Sequence, residues 1–155
     1  MSNITAGTAK QIEAFVEHVS LLSYVYFLMK SENKSIRAEA ILVITNLVST
    51  TTDSLLVLRI ANFENASLLE RLVEGLRLRD VGLILEIIQS LDVLLSLDAK
   101  FNLTGEDQIA SKLEIAGGLD ELSELEKHPN LTVYEVVDKL SSKYFGDNDR
   151  DEEYE

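Results

Sequence analysis

Side chains suited to chemistry are sparse in this sequence. Its 155 residues include two histidines and no cysteine. His18 and His128 stand far apart, and neither H-x-x-x-H nor H-E-x-x-H spacing occurs. Each reads as a surface or packing residue rather than a metal ligand or general base. Without cysteine, disulfides and Cys-ligated zinc or iron–sulfur centres are excluded. No nucleophile elbow, phosphate loop or dinucleotide fingerprint is present. Gly117-Gly118 lacks flanking phosphate-loop residues and reads as a helix stop. No cofactor, no metal and no enzymatic activity are therefore expected.

Carboxylates are abundant instead. The 27 acidic residues outnumber 14 basic ones, for a formal net charge of -13. That balance argues against nucleic acid, whose phosphates need a basic surface. It permits basic protein partners, although excess carboxylate also simply maintains solubility. Asp120, Glu121, Glu124 and Glu126 cluster on one predicted short helix, where they could meet a basic partner or form its wet face. The segment from Gly146 to Glu155, GDNDRDEEYE, has no apolar face. It is expected to be disordered and to add long-range steering that salt would weaken.

The elements that must position these groups read as helices. Only one proline and seven glycines occur, too few turn residues for an all-β chain of this length. Thr8 with Gln11 resembles a capping box opening a helix to about His18. Ser20 is placed to cap a second helix carrying Leu21, Leu22, Val25, Leu28 and Met29. After a charged break from Ser31 to Lys34, a longer helix puts Ile36, Ala40, Val43, Ile44 and Leu47 on one face. Thr52 or Asp53 opens the next helix, through Ile60. Ser67 with Glu70 caps another, and Ile84, Ile87, Ile88, Leu91, Leu94 and Leu95 mark a long one. Ala99 to Thr104 reads as loop. A helix ending at Gly117-Gly118 and a short one from Leu119 to about Lys127 follow. Pro129 then breaks the chain, and Thr132 with Glu135 caps a last helix to Tyr144. Tyr24, Tyr26 and Phe27 read as packing between units.

The order short, short, long thus recurs. Ser2-Asn3-Ile4 matches Thr45-Asn46-Leu47 at an offset of 43, and Ser20-Leu21-Leu22 matches Ser67-Leu68-Leu69 at an offset of 47. Three helices per unit at that period are the signature of armadillo or HEAT repeats. Such units bury their faces only against neighbours and stack into a superhelix. The expected fold is an all-α, right-handed armadillo-type solenoid of about three repeats plus a partial one. Residues 1–18 end one repeat and begin the next, 19–49 and 50–98 form repeats, 99–145 form a capping repeat, and 146–155 form the tail. The longest apolar runs, such as Leu55-Leu56-Val57-Leu58, are too short to cross a membrane. Met1 to Thr5 lacks the basic and apolar regions of a signal peptide.

The segment Ile115-Ala116-Gly117-Gly118-Leu119-Asp120-Glu121-Leu122, with Glu126 to Asn130, Val133-Tyr134 and Lys143-Tyr144-Phe145 in order after it, resembles the last armadillo repeat of the importin α (karyopherin α) family. Ser2-Asn3-Ile4-Thr5-Ala6-Gly7 with Gln11-Ile12 resembles the family's W-x-x-S-N-I-T-A-G stretch. Glu39-Ala40 and Ile44-Thr45-Asn46 resemble its E-A-x-W-A-I-S-N unit. The resemblance covers most of the chain and is weakest from Thr50 to Ala66. It implies a C-terminal fragment of a nuclear import adaptor shuttling between cytoplasm and nucleus. The Arg/Lys-rich segment through which the family binds importin β has no counterpart here.

The resemblance also implies sites. In the family's minor signal-binding site, asparagines clamp an extended basic peptide by its backbone, because an amide both donates and accepts. Tryptophans there stack on lysine stems. Ser2, Asn3, Glu39 and Asn46 match that pattern, whereas Leu42 stands where the family has tryptophan. In the following repeat Gln89 and Val93 replace the tryptophan and asparagine. The site would keep its hydrogen bonding and lose its cation–π part. Without the family context, Asn3 and Asn46 read as solvent-facing or capping amides. The last repeat, with Asp120, Glu121, Glu124 and Glu126, would meet a CAS-type export receptor with RanGTP and a nuclear-basket nucleoporin. A divergent armadillo or HEAT scaffold with unrelated partners is the other reading of the same sequence.

Overall fold

The computed structural model describes residues 10, 19–66, 68–101 and 108–146, and all regular elements among them are helical. They are α1 (Val19–Leu28), α2 (Lys34–Thr50), α3 (Ser54–Ala66), α4 (Leu68–Leu76), α5 (Val81–Phe101), α6 (Gln108–Ile115), α7 (Gly118–Leu125) and α8 (Leu131–Ser141). A π-helical turn, Ser142–Gly146, follows α8 directly. The triplet α3, α4, α5 is succeeded by α6, α7, α8 in the same order.

Local chemistry sets the helix starts. Asn33 accepts hydrogen bonds from the amides of Ser35 and Ile36, capping α2. The Asp53 carboxylate accepts from Leu55 N at 2.9 Å, and that of Asp80 from Leu83 N at 2.9 Å, opening α3 and α5. Thr132 does not cap α8. Asn130 does, its side chain accepting from Val133 N at 3.1 Å, while Nδ1 of His128 accepts from Asn130 N at 3.0 Å and shapes the turn. Ser20 lies within α1 rather than before it, and Ala99 to Phe101 continue α5 instead of forming loop. The proposed caps Thr8 and Ser67, and residues 147–155, lie outside the described residues. Gly117 adopts φ +86 between α6 and α7, a left-handed conformation that glycine takes without a Cβ clash.

The long helices stack side by side, α2 on α5 and α5 on α8, and the shorter helices pack behind them. Ile41, Ile44 and Leu47 of α2, and Ile84, Ile87 and Leu91 of α5, are fully enclosed. Burying each such side chain contributes roughly 1.5–3 kcal/mol. Ser90 Oγ donates to the Thr45 carbonyl at 3.3 Å inside the α2–α5 seam. Ile36 departs from the expected buried face. Lying in the first turn of α2, beyond the edge of the core, it is 44% exposed. Of the three aromatics of α1, only Tyr26 is buried, and its hydroxyl donates to the Ile60 carbonyl at 2.7 Å. Tyr24 and Phe27 are instead exposed.

Candidate functional site

The outer edges of the stacked long helices form a shared surface. Glu39, Leu42 and Asn46 follow a helical spacing on α2, where Glu39 is exposed and the other two are half-buried. Leu42 leans on the core. The Asn46 carbonyl accepts from the Thr50 hydroxyl, but its side-chain amide has no partner among the described residues. At the repeat offset of 47, Leu42 and Asn46 correspond to Gln89 and Val93 of α5, neither of them buried. Each pair thus sets one amide side chain and one apolar side chain on the surface, in opposite order on α2 and α5. Ser2 and Asn3 lie outside the described residues.

Between α5 and α8 the surface deepens into a groove of about 450 Å³. Leu85, Ile88, Val136 and Leu140 supply apolar lining, and Gln89 and Thr132 add neutral polar groups. Asp92, Lys139 and Lys143 complete it. Lys143 Nζ meets Asp92 Oδ1 at 3.0 Å, and the Tyr144 hydroxyl donates to the same oxygen at 2.7 Å. The π-helical turn carries both Lys143 and Tyr144 back onto α5, and the ammonium lies 5.0 Å from the Tyr144 ring centroid.

Opposing influences set the Asp92 carboxyl. Burial raises its pKa, but hydrogen bonds from Tyr144 and Lys143, with the charges of Lys143 and Lys139, outweigh burial and hold it below the usual carboxylate range. Burial, then the bond to Asp92, pushes the Tyr144 phenol up. Tyr144 and Asp92 together hold the Lys143 ammonium above its usual range.

A depressed folded-state pKa means that the unfolded chain binds the proton more readily. The Asp92 contribution is thus present above the unfolded carboxylate value near ~3.9 and is lost as pH falls through the folded value. Tyr144→Phe should move the Asp92 titration upward, read from its carboxyl carbon by NMR. The acid limb of the stability curve should become shallower. An unchanged Asp92 titration would show that the phenol contributes nothing.

Asp120, Glu121, Glu124 and Glu126, in and just after α7, differ in their surroundings. Glu121 is half-buried and already engaged. Arg77 Nε reaches its Oε1 at 2.9 Å, and Arg79 Nη2 reaches its Oε2 at 3.0 Å. Glu124 pairs with Lys127 at 3.3 Å. Asp120 is exposed, and Glu126 lines a shallow hollow of about 300 Å³ with Ser123, Asp138 and Phe145. Among the described residues no cluster of three or more acidic or histidine side chains is placed to hold a metal, and no helix is long and apolar enough to cross a membrane.

Sequence reasoning missed the Asp92–Lys143–Tyr144 cluster and Lys139, whose ammonium has no ion-pair partner among the described residues. The spacing of Thr132, Val136, Lys139 and Lys143 marks them as one face of α8 and the π-helical turn that continues it. Nothing local shows that this face meets α5.

The stacking of three-helix units along their long helices defines the class: this chain has an armadillo-like α-solenoid fold. It is similar to a designed armadillo repeat protein solved in complex with the peptide (KR)4, with a TM-score of 0.67 and 23% identity over 94% of this chain and 54% of that one. The chain thus spans about half the length of that solved structure. No family model and no curated protein matches the sequence.

Proposed function

We propose that the chain is a protein-interaction module, not an enzyme, that holds an extended peptide along the outer edges of its stacked long helices. The observation that carries this is the Asn46 amide, half-exposed and without a side-chain partner among the described residues, two turns along α2 from the exposed Glu39. An amide in that position can bond peptide backbone of any sequence, and a carboxylate two turns away on the same helix favours a basic residue further along the peptide. The structural neighbour's own peptide, (KR)4, is basic, which supports the same chemistry here.

The finer reading is a C-terminal part of an importin-α-like nuclear import adaptor that binds basic nuclear-localisation-signal peptides. Its support is the ordered likeness from Ile115 to Phe145, together with Glu39 and Asn46 at matching positions. On this reading the last repeat meets a CAS-type exportin with RanGTP and a nuclear-basket nucleoporin, and the protein shuttles between cytoplasm and nucleus. The rival, a divergent scaffold with unrelated partners, is favoured by the absence of tryptophan from the sequence.

A labelled bipartite basic peptide should bind saturably and weaken with salt. Asn46→Ala should weaken it about five-fold, the loss of one net hydrogen bond. No saturable binding at high micromolar protein, or no effect of Asn46→Ala, would remove the peptide-clamp reading. Retained binding with failure to co-elute with a CAS-type exportin and RanGTP would favour the rival scaffold.

A further inference from the structure

The groove between α5 and α8 differs in charge from the rest of the molecule. The chain carries a formal charge of -13. Yet among the described residues Asp92 is the only carboxylate lining this groove, against two lysines. Asp92 is already occupied by Lys143 and Tyr144. The Lys139 ammonium makes no hydrogen bond or ion pair among the described residues. It lies close enough to Asp92 to act on that carboxyl through space. Among the described residues the groove therefore presents an ammonium without an ion-pair partner beside Leu85, Ile88, Val136 and Leu140.

We propose that the α5–α8 groove is a second binding site, selective for a peptide segment that places a carboxylate next to a bulky apolar side chain. The apolar side chain would fill the space between Leu85 and Val136, and its neighbouring carboxylate would meet Lys139. Thr132 remains to bond the peptide backbone, and Gln89 adds a neutral wall. A basic peptide would meet Lys139 and Lys143 as like charges, so the ligand of the α2 edge and the ligand of this groove are of opposite sign. The assignment goes beyond the basic-peptide reading and does not depend on it.

The probe is a labelled peptide, Gly-Ser-Glu-Leu-Phe-Glu-Glu-Leu-Ser-Gly, with a control in which each Glu becomes Lys, both titrated by fluorescence anisotropy into the full chain. The acidic probe should bind saturably and at least about ten-fold tighter than the control. Lys139→Glu should weaken it by about ten-fold or more, and Gln89→Lys should tighten it about three-fold. The gain from Gln89→Lys separates binding from misfolding. Lys34→Glu, a charge reversal at the start of α2, should change little. Equal binding of the control peptide, or no response to either groove variant, overturns the proposal. So does a full chain that ignores the acidic probe while a chain ending at Gly146 binds it, which would assign the groove to residues 147–155. A dimer that Lys139→Glu dissociates would assign it to a second copy and equally overturn the proposal. Loss of basic-peptide binding in Asn46→Ala, with acidic-probe binding unchanged, keeps the two readings distinguishable.

Discussion

Gly75→Leu should destabilise the chain by about 3 kcal/mol, the upper part of the usual range for overpacking a core. Gly75 lies in α4 where that helix meets α2 and α5. A Cβ there would stand 2.7 Å from Ile87 Cδ1 and 3.0 Å from Ile41 Cδ1, both in fully buried side chains. The absence of a side chain lets the α4 backbone approach the seam between the two long helices. A leucine would have to displace both isoleucines or push α4 away, and a close-packed interior has no free volume to absorb it. The measurement is a urea titration, in which the midpoint should fall while the slope stays constant.

Gly75→Ala should be milder. Alanine gains about 1 kcal/mol of helix propensity against the crowding. Ile87→Val removes the crowding Cδ1 atom, so the double variant should be more stable than the two single effects predict. Simple additivity would show that crowding against Ile87 is not the cause.

Glu121→Ala should lower stability by about 1–2 kcal/mol at low ionic strength. Each carboxylate oxygen serves a separate arginine from the turn before α5, more than forty residues earlier in the chain. The bonds are charge-assisted, and the carboxylate is largely shielded, which strengthens them. Arg77 and Arg79 are 51% and 46% exposed, so water can resolvate them once Glu121 is lost, and the effect is kept well below that of a buried pair. Raising salt to 0.5 M should shrink it, because these arginines are open to screening.

Arg79 adds a counter-test. It adopts φ 61, a left-handed conformation that disfavours any residue with a Cβ. Arg79→Gly should therefore be nearly neutral, because losing one arm of the bridge offsets relief of the backbone. Hydrogen exchange across α7 in Glu121→Ala should rise more than across α2. Uniform protection in both helices would show that the bridge does not fasten the last triplet.

The positions of the helices were legible because their signals are local. Ala40, Val43, Ile44 and Leu47 mark the buried face of α2 by spacing alone, and all four are buried. Gly117 marks the stop after α6 because the backbone there turns left-handed. Short-range signals misled where two candidates competed. Thr132 with Glu135 has the spacing of a capping box, yet Asn130 is the residue whose side chain reaches a free amide of α8. Ile36 follows the same periodicity as Ala40, but it stands in the first turn of α2 and is exposed, and periodicity does not report how far the burying neighbours extend. Tyr24 and Phe27 lie off the face of α1 on which Leu22, Val25 and Tyr26 are buried: residue type fits packing, while position decides it.

By itself, then, the sequence determined an all-helical chain of recurring three-helix units, an acidic surface and a lack of metal-binding or nucleophilic motifs. Those properties depend on composition and on residues within a few turns of each other. Tertiary structure decided which charges remain available. Glu121 reads from sequence as one of four exposed acids, but folding places it between two arginines. Nothing in the sequence singles out Lys139, but folding sets it over an apolar groove whose carboxylate is taken by Lys143, 51 residues along the chain from Asp92. Pairing across that separation follows from how α5 and α8 stack, and no local pattern encodes it.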